Sequence, residues 1–142
     1  ARFLDLFSGS GAIGIEALSR GCEMAVFVEN NSAAVECIRD NLKCTKLSED
    51  AVIMQKDVYA AIQQLESEGK CFDIVFMDPP YDCFHEKKVL ERLLSSSVIH
   101  KETLIVVEAS LSTDFSYAES YGYTVLREKI YKTNKHIFLR IK

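Results

Sequence analysis

At 142 residues, with 48% hydrophobic and 27% charged side chains, the chain has enough apolar mass for one domain with a core, and its composition excludes a disordered or collagen-like polypeptide. Its net charge of −4 argues against a nucleic-acid partner for the body as a whole, but the charge is unevenly placed: residues 126–142 carry +5 and residues 1–125 carry −9. That basic tail reads equally as a phosphate-binding face or as a solvated hairpin.

The five cysteines (Cys22, Cys37, Cys44, Cys71 and Cys83) are odd in number and include no C-x-x-C pair, so neither a disulfide framework nor a zinc site is indicated. Ala1-Arg2-Phe3-Leu4 runs directly into an apolar strand with no leader pattern before it. The expectation is a cytoplasmic protein with no membrane segment and no metal.

In chain order, Arg2–Leu6 reads as a strand, followed by a glycine loop and a helix from about Ala12 to Arg20 that Gly21 closes. Ala25–Val28 is a second strand. Ser32 can cap the next helix with Glu36 at a capping-box-like distance, and Val35, Ile38 and Leu42 then share one face. Ala51–Gln55 is a third strand, Val58 to about Glu68 a helix stopped by Gly69, and Phe72–Met77 a fourth strand. A helix containing Val89, Leu90, Leu93 and Leu94 precedes a fifth strand, Thr103–Glu108. Tyr123–Tyr131 and His136–Ile141, joined by Lys132-Thr133-Asn134-Lys135, read as an antiparallel hairpin. Repeated βα units ending in a hairpin predict a single-domain, doubly wound Rossmann-like α/β sheet, mostly parallel, with the antiparallel hairpin at one edge.

Ligands of such sheets bind outside the carboxyl ends of the strands, and the polar signals fall there. The loop Asp5-Leu6-Phe7-Ser8-Gly9-Ser10-Gly11-Ala12-Ile13-Gly14 has the glycines of a nucleotide-binding turn. A carboxylate at Asp5 would repel a pyrophosphate on the helix N-terminus and attract a cation, which fits S-adenosylmethionine better than NAD. Glu29 ends the second strand about twenty residues past the glycines, where an acid accepts ribose hydroxyls. Asp57 ends the third and can take an adenine amine while the Val58 N–H donates to a ring nitrogen; Asp57 can also cap the following helix.

The fourth strand runs into Asp78-Pro79-Pro80-Tyr81. Prolines lack an N–H, so carbonyls here are left outside any ladder, and together with Asp78 they form a cluster of acceptors beside an aromatic ring. Such a cluster suits a planar group bearing an amine. A plain turn with a solvated Asp is the competing reading of the tetrapeptide alone.

Taken together, Leu4–Gly21, Glu29, Asp57 and Asp78–Tyr81 resemble, over essentially the whole chain, the RsmD-type family of 16S ribosomal RNA guanine-N2 methyltransferases, S-adenosylmethionine-dependent enzymes with a DPPY or DPPF motif. The Ser19-Arg20-Gly21 helix end is the more family-specific part, and Tyr81 stands where the family usually has Phe. The resemblance implies cofactor contacts from Asp5, Phe7, Gly9, Gly11, Glu29, Asn30, Asp57, Val58 and Asp78, and catalysis by Asp78, Pro79, Pro80 and Tyr81. It also implies ribosomal RNA or the small ribosomal subunit as partner. Members of the family begin several dozen residues earlier, so the chain is expected to lack an N-terminal segment found in relatives.

In the implied reaction Asp78 and the Pro79 carbonyl accept the two N–H bonds of a base amine, aiming its lone pair at the sulfonium methyl, while Tyr81 stacks on a splayed-out base. No strong base is required, and His85, His100 and His136 read as structural or solvated. Three alternatives remain open: an NAD-dependent dehydrogenase, a DNA or protein amino-methyltransferase with the same cofactor, and a truncated, non-catalytic RNA-binding domain.

Overall fold

The computed structural model describes residues 1–79 and 85–142. The elements run β1 (Arg2–Leu6), α1 (Ala12–Ser19), β2 (Met24–Val28), α2 (Ser32–Thr45), β3 (Ala51–Met54), α3 (Val58–Ser67), β4 (Ile74–Met77), α4 (His85–Leu94), β5 (Leu104–Ser110), α5 (Tyr117–Tyr121), β6 (Tyr123–Ile130) and β7 (Asn134–Ile141), with a 3₁₀ turn at Ser48–Asp50. They form one seven-stranded sheet in the order β3-β2-β1-β4-β5-β7-β6. The first five strands pair in parallel, and β7 and β6 add antiparallel at the edge beyond β5, as the alternation predicts.

The strands are apolar on both sides because both sides are covered. Leu4, Leu6, Val26, Val28, Val75 and Met77 face the layer of α3, α4 and α5, where Ile62, Leu65, Leu90, Leu93 and Ala118 are buried. The alternate residues Phe3, Ala25, Phe27 and Phe76 face α1 and α2 through Leu18, Ile38 and Leu42. Tyr123 is fully buried, and its hydroxyl donates to the Leu90 carbonyl at 2.5 Å.

Local signals set the helix ends. After α1, the N–H groups of Gly21 and Cys22 donate to the carbonyls of Leu18 and Ala17, the paired bonds of a Schellman turn. Asp57 caps α3, accepting from the Ala60 N–H at 2.9 Å. The expected cap of α2 is corrected by one residue. Asn31, not Ser32, accepts from the Ala34 N–H at 3.0 Å, and Ser32 is the first helical residue. Both are good capping types, and Asn31 is the one the strand β2 leaves in extended backbone.

The hairpin is also corrected. Asn134 and Lys135 belong to β7, and the connection is Tyr131–Thr133. Lys135, expected in an exposed turn, is 8% exposed, with its ammonium 3.7 Å from Glu128 and over the Phe115 ring. A register shift between Val125 and Arg127 marks a β-bulge in the edge strand β6. The short helix α5 was not anticipated; its five residues are too few to show a period.

No helix among the described residues is long and apolar enough to cross a membrane, and among them no cluster of three or more His, Cys, Asp or Glu could hold a metal ion.

Candidate active site

The chain order reverses between β1 and β4, which lie side by side at the centre of the sheet, and their carboxyl ends carry the glycine loop and Asp78-Pro79. A crevice opens where consecutive crossovers leave in opposite directions. The loop turns tightly: Phe7, Gly9 and Gly11 all adopt left-handed backbone, with φ of 59°, 58° and 79°. Phe7 is the unusual one, since a bulky side chain there costs on the order of 1–3 kcal/mol. Gly9 has open space where a Cβ would stand. Gly14 has the opposite constraint: a Cβ would lie 2.4 Å from Phe27 Cε2, so only a hydrogen lets α1 lie this close to β2.

Glu29 ties the second strand end to this loop. One carboxylate oxygen accepts the Gly9 N–H at 2.8 Å and the other the Asn31 N–H at 3.0 Å. A carboxylate has about four lone-pair sites, so acceptor capacity remains toward the cleft. That cleft, a cavity of about 520 Å³, is lined by Phe7, Glu29, Asn30, Asp57, Val58 and Tyr59, with Val28, Asn31 and Lys56 completing it. Phe7, Glu29, Asn30, Asp57 and Val58 are among the cofactor contacts that the resemblance implies; Val28, Asn31, Lys56 and Tyr59 are not.

Asp5 does not line the cavity. It is 1% exposed, and its Oδ2 makes no hydrogen bond among the described residues. Burial pushes its carboxyl up to about 7, offset in part by the Gly14 N–H and the Ser8 hydroxyl, with Asp78 and Glu29 adding to the rise. The expectation that a carboxylate at Asp5 attracts a cation meets a buried group: Asp5 lies beneath the loop, and of the acids lining the cleft Asp57 is exposed and Glu29 partly buried.

Asp78 is half-buried just past β4. Burial, then the charge of Glu108 and a hydrogen bond with it, push the Asp78 carboxyl up to about 7. Pro79 is buried and lines a second cavity of about 460 Å³ with Glu108, Ser110, Thr113 and Tyr117, also walled by Glu86 and Lys87 of α4. Pro80, Tyr81 and the His85 side chain, named from the sequence, lie outside the described residues. Of the other two histidines, His100 contacts Asp73 at 3.1 Å and His136 contacts Glu108 at 2.9 Å. Glu108 is the residue beside the motif that sequence reasoning missed; no spacing rule links it to Asp78, and only the β4–β5 register does.

The family model described as Conserved hypothetical protein 95 matches residues 1–140. A Haemophilus influenzae protein named ribosomal RNA small subunit methyltransferase D is 30% identical over 127 residues, 89% of this chain and 64% of its own length. The chain thus spans somewhat under two thirds of that relative. A solved structure of a conserved hypothetical protein from Streptococcus pyogenes superposes with a TM-score of 0.90 at 33% identity, covering 99% of this chain and 86% of the other. An S-adenosylmethionine-dependent methyltransferase from Agrobacterium tumefaciens shares the fold, with a TM-score of 0.76 at 18% identity over 99% of this chain and 55% of its own.

Proposed function

The chain belongs to the Conserved hypothetical protein 95 family, the RsmD-type methyltransferases, and from that membership we propose that it transfers a methyl group from S-adenosylmethionine to the exocyclic N2 amine of a guanine in 16S ribosomal RNA. The observation that carries the reading is the pairing of two features across the β1–β4 switch point: an adenosine-sized cavity edged by Glu29 and Asp57, and an acceptor cluster at Asp78-Pro79.

The residues present fit the cofactor. Glu29 retains acceptor capacity for ribose hydroxyls, Asp57 can accept an amine, and the space over Gly9 is open for close approach. The apolar sides of the cavity, Phe7, Val28 and Val58, suit a purine face. When bound, S-adenosylmethionine supplies a methyl group made electrophilic by its sulfonium.

The chain's own part is placement. Asp78 and the Pro79 carbonyl accept the two N–H bonds of the target amine, which draws the nitrogen from planar toward tetrahedral and directs its lone pair into the cleft. Orientation of this kind supplies much of the acceleration. Tyr81 stacks on the base in this reading, and a base splayed from an RNA loop is the form that can reach the site.

The test is methylation of ribosomal RNA from a strain lacking this activity, followed by mapping of the modified nucleotide. A modified guanine N2 is the expected product. Modification of DNA or protein instead, or tight binding of NAD with no response to S-adenosylhomocysteine, overturns the proposal.

A further inference from the structure

We propose that Glu108 and His136 are positioning residues that make Asp78 the acceptor of the proton released when the target amine is methylated. The proposal rests on the amine reading above and goes beyond it, because placement alone assigns these two residues no part.

Three consecutive positions across the sheet carry the argument. Met77 of β4 is in register with Val107 of β5, so Asp78, one residue on, stands beside Glu108. Glu108 is in turn the register partner of His136 on β7. The side chains interact as the register suggests: the charge of Glu108 acts on Asp78, and His136 Nε2 lies 2.9 Å from Glu108 Oε1. The imidazole is held in place by edge contacts with Phe76 and Tyr131, whose ring centroids lie 6.0 and 4.8 Å away. Glu108 and His136 are each about one-fifth exposed, so neither is a freely solvated surface group.

The chemistry releases a proton that such a group can take. As the methyl group moves, the nitrogen lone pair forms the N–C bond while the C–S bond breaks, leaving its electron pair on sulfur. The nitrogen is then cationic and loses a proton: the N–H electron pair returns to nitrogen and the proton passes to an Asp78 carboxylate oxygen. A carboxyl with an ordinary affinity would hold that proton weakly near neutrality. The charge of Glu108 beside Asp78 raises that affinity, and His136, 2.9 Å from Glu108 Oε1, holds the Glu108 side chain in place.

Other charged groups border the triad. Asp5 of β1 lies near enough that the charge of Asp78 raises the Asp5 carboxyl. Glu86, Lys87 and Asp114 share the cavity wall with Glu108, and Lys129 of β6 is the register partner of His136.

Carbon-detected NMR titration of side-chain carboxyls on the 142-residue chain, without cofactor or RNA, tests the arrangement. In the parent, Asp78 is expected to titrate near neutral pH. Glu108→Gln removes the neighbouring charge, and the Asp78 midpoint should fall by about one pH unit or more. His136→Gln removes the contact that holds Glu108 in place, and the Asp78 midpoint should fall in the same direction. An Asp78 midpoint unmoved in Glu108→Gln, or unmoved in His136→Gln, overturns the proposal. A companion methylation assay of Asp78→Asn separates the two levels. Methylation retained there, where the amide oxygen still accepts an N–H but takes up no proton, defeats this proposal; methylation retained in Asp78→Ala defeats the amine reading as well. Loss of methylation with unmoved titrations defeats only the roles of Glu108 and His136.

Discussion

Glu29 and Gly9 are joined by a hydrogen bond of 2.8 Å between a side-chain carboxylate and a backbone N–H twenty residues away, so the acid at the end of β2 also fixes the glycine loop after β1. Glu29→Ala should therefore weaken binding of S-adenosylhomocysteine by about 1–3 kcal/mol, through the lost acceptor and the unpaired loop N–H. Calorimetric titration measures it. An unchanged affinity removes Glu29 from the cofactor site.

Gly14→Ala should destabilise the protein even though no ligand is involved. The added methyl would meet the fully buried Phe27 ring at 2.4 and 2.8 Å, and neither α1 nor β2 can move away without disturbing the core beneath. Overpacking of this kind costs about 1–3 kcal/mol. Urea denaturation should show a lower midpoint at an unchanged slope.

Asp5 predicts a pH dependence with a definite sign. Its folded-state affinity for a proton is raised, from an ordinary value of 3.8 to about 7, so the folded protein binds that proton more strongly than the unfolded chain does. The associated stability is fully present below about pH 4 and is lost as pH rises toward 7. Asp5→Asn should remove that loss, making the variant more stable than the parent at pH 8, by at most about 4 kcal/mol, with the difference vanishing toward pH 4. Thermal melts at both pH values check it; a variant less stable than the parent at pH 8 contradicts it.

Asp78→Ala should separate chemistry from binding. Asp78 lies outside the cavity edged by Glu29 and Asp57, so cofactor affinity should hold while methyl transfer falls by about 2.7–4 kcal/mol in barrier, roughly a hundred- to thousandfold, by analogy with other hydrogen bonds directed at a transition state. Loss of cofactor affinity in step with activity would make the motif a structural turn.

Lys135 and Lys132, both in the basic tail, should behave differently. Lys135 is packed against Phe115 and Glu128, so Lys135→Ala should lower stability by about 1 kcal/mol through lost packing of its stem. Lys132 lies in the connection between β6 and β7 and is exposed; Lys132→Ala should leave stability unchanged and reduce the salt dependence of any RNA binding.

The sequence was most legible where one residue type has one physical job. Gly21 and Gly69 follow the ends of α1 and α3, Asp57 caps α3, and Val35, Ile38 and Leu42 form the buried face of α2 as their spacing requires. It was ambiguous where neighbours share a propensity, as with Asn31 and Ser32. It was silent where the answer depends on strand register. Glu108 and His136 are 28 residues apart, and nothing local in either segment reports that β5 and β7 place them opposite each other. The buried state of Asp5 was hidden for a related reason: its position at a strand end is visible in the sequence, but the loop that closes over it is a tertiary feature.

The bulge in β6 also bears on how the molecule behaves in a crowded solution. The sheet has two open margins, β3 and β6, and a long flat margin offers unpaired backbone groups to any passing strand. β6 is eight residues long and exposes Val125, Leu126 and Ile130, enough to recruit another chain. The register shift between Val125 and Arg127 breaks its regular spacing, and Arg127, Glu128 and Lys129 place charge along the remainder. A second copy aligning there would have to match an interrupted ladder and bring like charges together, so the irregularity protects the protein against edge-to-edge aggregation.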